Sequence, residues 1–75
     1  MVKVKVRLFA SLRENREKEM EINLNKGSIV LDIIEDLKID RKDAAIILVN
    51  GRSGNINSLL VDNDIVSIFP PIGGG

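Results

Sequence analysis

Apolar and polar residues alternate from the start of the chain: Val2, Val4, Val6 and Leu8 against Lys3, Lys5, Arg7 and Phe9. A period of two over this length predicts a strand with one buried face. The polar stretch from Ser11 to Lys18 predicts a turn. Met20, Ile22 and Leu24 then alternate with Glu19, Glu21 and Asn23, which predicts a second strand. The two are expected to pair as an antiparallel hairpin, in a register that so long a loop does not determine. After Asn25-Lys26-Gly27 the period changes. Val30, Ile33, Ile34 and Leu37 fall at i, i+3, i+4 and i+7, the apolar stripe of a helix, widened by Ile29 and Leu31. Ser28 is the expected N-cap, and Asp32 suits the positive end of the helix dipole. Lys38 to Asp43 reads as a polar connection with a helical turn begun by Asp40. Ile46 to Val49 is a short strand closed by the Asn50-Gly51 turn signal. The loop Arg52 to Asn55 is expected to lead to a weak strand near Ile56. Asp62-Asn63-Asp64 predicts another turn, and Ile65 to Phe69 the last strand, with Val66 and Ile68 on one face and Ile65, Ser67 and Phe69 on the other.

The predicted order is β-β-α-β-(β)-β, an α+β chain with one main helix on a mixed sheet. That order points to a ubiquitin-like β-grasp, in which the first and last strands are central, parallel neighbours. Residues 1–69 form the expected domain and residues 70–75 a flexible C-terminal tail. Pro70 and Pro71 have no N–H for a ladder and lift the backbone out of the sheet. Ile72, Gly73, Gly74 and Gly75 then form a thin thread, roughly 13 Å long if extended, with a carboxylate at its tip.

Composition narrows the chemistry. The 75 residues suit one domain, and the 44% hydrophobic content can fill its core. Phe9 and Phe69 are the only aromatic residues, too few for base-stacking platforms. Eleven basic and eleven acidic residues cancel, so general attraction to nucleic acid or an anionic membrane is not expected. No cysteine or histidine is present, which removes disulfides, thiolate chemistry and the common zinc and triad arrangements; no metal site is expected. The first residues read as a strand, not as a signal peptide, and no apolar run approaches membrane-spanning length, so a cytoplasmic domain is expected. Glu14, Glu17, Glu19, Glu21, Glu35 and Asp36 fall in polar loops or on outward faces and read as a solvated surface, with no pocket to separate their acidities. Gly73 to Gly75 form no phosphate cradle, because no helix follows. The tail is left as the candidate site.

The segments VRLFASLRE, LVNG and DNDIVSIFPPIGGG resemble the MoaD/ThiS family of ubiquitin-like sulfur carriers over essentially the whole chain. The most specific part runs from Leu60 to Gly75, where L-x-D-x-D-x-V-x-x-F-P-P leads into terminal glycines. The LFASLRE segment, Leu8 to Glu14, is most similar to the molybdopterin synthase small subunit. Asn63 stands where the family usually has glycine, and asparagine tolerates the left-handed turn. Gly73 stands where a small non-glycine residue is frequent.

The resemblance implies a protein that is not itself an enzyme and binds no cofactor. An E1-like adenylating enzyme would use ATP and magnesium to activate the carboxylate of Gly75, and a sulfur donor protein would convert it to a thiocarboxylate. The large molybdopterin synthase subunit would then take up the tail for dithiolene synthesis. Carriers for thiamine or tRNA thiolation, a ubiquitin-like modifier and a non-catalytic binding module are the alternatives. By alternation Phe9 and Phe69 share the sheet face opposite the helix, beside the tail exit. They form either an exposed docking patch or a pair covered by their own loops.

Overall fold

A computed structural model describes residues 1–71. Its strands are β1 (Val2–Leu8), β2 (Glu19–Leu24), β3 (Ile46–Val49), β4 (Arg52–Ser53) and β5 (Ile65–Phe69), with one α-helix, α1 (Val30–Asp36). They form a single five-stranded sheet in the order β2-β1-β5-β3-β4. β1 and β5 are parallel and central, while every other neighbouring pair is antiparallel. This is the β-grasp arrangement expected from the order of elements. The register left open between the first two strands pairs Val2 with Leu24 and Arg7 with Glu19.

The period-two faces segregate as the alternation requires. Val4, Val6, Leu8, Val66 and Ile68 are fully buried against Val30, Ile33 and Ile34 of α1. Each such aliphatic side chain contributes about 1.5–3 kcal/mol on burial, so this layer supplies most of the drive to fold. No helix is long and apolar enough to cross a membrane among the described residues.

Three local expectations are corrected. The Ser11–Lys18 stretch is not simply a turn: Ala10–Arg13 form a 3₁₀ helix that buries Leu12. The helix N-cap is Ile29, not Ser28. Ile29 is held extended by a bridge to Leu59, and its N–H donates to the Asp32 carboxylate at 2.8 Å. Asp32 thus serves both the cap and the dipole. Finally, the fourth strand lies at Arg52–Ser53, and Ile56 is in a turn. Asn50 and Gly51 both take positive φ (55° and 80°), so the chain reverses within two residues and pairs again at once. Asn55 and Ser58 then tie the following turn through their side chains.

The turn begun at Asp40 is a 3₁₀ helix, Arg41–Asp43. α1 closes in a Schellman arrangement: the Ile39 N–H donates to the Ile34 carbonyl, and that of Lys38 to Glu35. Lys38 occupies the left-handed position usually given to glycine, with φ of 58°.

Candidate tail-base docking site

β5 runs parallel to β1 and ends at Phe69, directly before Pro70. Pro70 is half-buried and Pro71 exposed, and neither belongs to a strand. The predicted tail residues Ile72, Gly73, Gly74 and Gly75 lie outside the described residues.

The parallel register places Leu8 beside Ile68, so the next residues, Phe9 and Phe69, meet on the other face of the sheet. Their rings stack with centroids 4.2 Å apart and planes 10° from parallel. A stacked aromatic pair contributes about 0.5–1.5 kcal/mol beyond its buried area. Both residues are half-buried, so the pair is neither sealed under loops nor fully open. Arg13 covers part of it, its guanidinium carbon 5.2 Å from the Phe9 ring centroid and its Nε donating to the Leu8 carbonyl at 2.7 Å. Ala10 takes φ of 54°, a conformation that costs a non-glycine residue about 1–2 kcal/mol. That turn starts the 3₁₀ helix which brings Arg13 back over Phe9.

The structure adds apolar residues that the sequence reading did not assign to the site. β3 is antiparallel to β5, with Ile46 opposite Phe69 and Leu48 opposite Ser67. Ile46 is 43% exposed, while Leu48 and Ile65 are half-buried on this same face. The two rings therefore sit at one end of an apolar strip crossing β1, β5 and β3. Alternation within Ile46–Val49 would have placed Ile46 and Leu48 on one face, but not beside the rings. Along β1 and β2 the face turns polar: Arg7 meets Glu19 at 2.8 Å and Lys5 stands opposite Glu21. The Arg7–Glu19 pair is nearly half exposed and worth under about 1 kcal/mol. A cleft of about 360 Å³ lined by Met1, Val2, Leu59, Leu60 and Val61 among others lies at the opposite end of β1, far from the tail base.

Known proteins share this fold. The ThiS family profile matches residues 6–75, nearly the whole chain and both halves of the site. The chain belongs to the ThiS/MoaD family. A putative molybdopterin converting factor subunit 1 from Pyrococcus furiosus is 36% identical, with a TM-score of 0.77 over 96% of this chain and 100% of that one. Small archaeal modifier protein 1 from Methanosarcina acetivorans is 31% identical, with a TM-score of 0.70 over 100% and 98% of the two chains. A chain in the complex of subunits 1 and 2 of the Helicobacter pylori molybdopterin-converting factor is 26% identical, with a TM-score of 0.66 over 99% and 100%. No curated protein matches. This ThiS/MoaD-family chain is thus a ubiquitin-like protein of a sulfur-carrier family.

Proposed function

We propose that the chain carries sulfur as a thiocarboxylate on Gly75 and donates it for the dithiolene of molybdopterin or tungstopterin. The observation that carries this reading is the stacked Phe9–Phe69 pair at the base of the tail, in a chain of this family. A carboxylate is a poor electrophile, because its leaving group would be an oxide. Attack of the Gly75 carboxylate on the α-phosphorus of ATP, with loss of pyrophosphate, gives an acyl adenylate. The outer sulfur of a persulfide on the donor protein then attacks the carbonyl and displaces AMP. A thiol cleaves the resulting acyl disulfide, becoming disulfide-bonded to the donor and leaving the thiocarboxylate on Gly75. The E1-like enzyme and its magnesium supply that activation, and this chain supplies the acyl group. The docking face holds the partner while the glycines enter its active site, where a side chain at Gly74 or Gly75 would obstruct a narrow channel. The large synthase subunit is the proposed acceptor; the Helicobacter pylori relative occurs in a complex of subunits 1 and 2. The use of ATP in these steps supports the cytoplasm as the proposed compartment.

A second reading is a protein modifier, in which a target lysine attacks the same adenylate to form an isopeptide. The similarity to the small archaeal modifier protein favours it. Incubation with the cognate E1-like enzyme, ATP, magnesium and a sulfur source, followed by intact-mass measurement, separates the two. Exchange of one oxygen for sulfur is the expected result, and deletion of Gly75 should abolish it. Conjugates of higher mass would favour the modifier. An unchanged mass, with the enzyme active on a control carrier, overturns both.

A further inference from the structure

We propose that Arg13 is the charged anchor of the docking face, and that it receives a carboxylate from the protein seated on the Phe9–Phe69 pair. This rests on the docking reading above and names the chemistry the partner must bring.

Arg7, Arg13 and Arg16 differ in their commitments. Arg7 is paired with Glu19 at 2.8 Å. Arg16 turns both terminal nitrogens inward, to the carbonyls of Leu12 and Lys38. Arg13 uses only Nε, on the Leu8 carbonyl, and its two Nη groups have no acceptor among the described residues. The guanidinium is nevertheless held in place: one edge is tied to the end of β1 and the plane lies near the Phe9 ring. An arginine so restrained has already lost much of its side-chain freedom, and its outer fork matches a carboxylate in two parallel hydrogen bonds. The surroundings set the sign of the partner. A cleft of about 260 Å³ beside the ring is lined by Arg7, Phe9, Arg13, Lys18 and Glu19, three cations against one acid. Aromatic residues flanked by a pre-set arginine have the composition of an interface hot spot. The occupant is therefore a protein surface with an apolar knob for the rings and an Asp or Glu beside it.

The test is calorimetric titration of the full chain with the large molybdopterin synthase subunit of the same organism, at low and high ionic strength. Arg13→Gln should weaken binding about tenfold at low salt, because it removes the charge and the fork. The deficit should shrink at high salt, where the wild-type pair is screened. Arg13→Lys should recover part of the loss. Phe69→Ala should weaken binding by a similar factor at both salts. If Phe69→Ala weakens binding but Arg13→Gln matches the wild type, the assignment of Arg13 is overturned and the docking reading stands. An Arg13→Gln deficit independent of salt, with a lowered melting temperature, reduces Arg13 to a prop for Phe9 and also overturns it. No binding by the wild type overturns the docking reading, and the Arg13 assignment with it.

Discussion

Lys38 and Asn63 take the same backbone conformation for different reasons, and one can be read from sequence while the other cannot. Asn63, with φ of 71°, turns the chain between Asp62 and Asp64 and donates its N–H to the Lys3 carbonyl at 2.7 Å. Asparagine visits this region readily, so the turn was legible. Lys38 has no such preference; it is left-handed because the Schellman bonds and the burial of Ile39 require it. Lys38→Gly should therefore stabilise the fold by about 0.5–1 kcal/mol, the relieved strain exceeding the extra unfolded-state entropy. Urea denaturation would show a higher midpoint with an unchanged slope. The equivalent gain at Asn63 should be smaller.

At the level of elements, one latch joins the β3–β4 hairpin to the start of β5. The carboxylate of buried Asp64 accepts from the Asn50 side chain at 2.8 Å and from the Val61 N–H at 2.9 Å. The Asn50 side-chain oxygen in turn accepts from the Ile65 N–H, and the Asn50 N–H donates to the Ile65 carbonyl. Asp64→Ala strands two donors and should cost about 2–4 kcal/mol. In a double-mutant cycle with Asn50→Ala the two losses should fall short of additivity, because each change breaks the same bond. The hairpin turn was legible in Asn50-Gly51, and the five main elements in their periodicity. The misplaced cap and fourth strand have tertiary causes. The bridge from Ile29 to Leu59 joins residues distant in sequence, and no local pattern announces it. Ile56 packs against the core from a turn, so its apolar character looked like a strand from sequence alone.

At the scale of the molecule, the buried core and the proposed docking face lie on opposite sides of one sheet, and substitutions should separate them. Ile34→Ala, in the helix layer, should cost about 2–5 kcal/mol of stability. Phe69→Ala, on the open face and half-buried, should cost under about 2 kcal/mol yet weaken binding to the activating enzyme and the large subunit by tenfold or more. Thermal melts and titrations on the same samples check both halves of the claim. The two rings were legible because alternation alone fixes their face; the strip formed by Ile46 and Leu48 was not, because it depends on which strand neighbours β5. The parallel pairing of β1 with β5 has one more consequence. Phe9 comes from the beginning of the chain and Phe69 from its end, and they touch only once the last strand has entered the centre of the sheet. Contacts between such distant segments form late and at high entropic cost. On the proposed docking, a partner that grips both rings would thereby inspect the chain for completed folding, and a misfolded copy would be passed over.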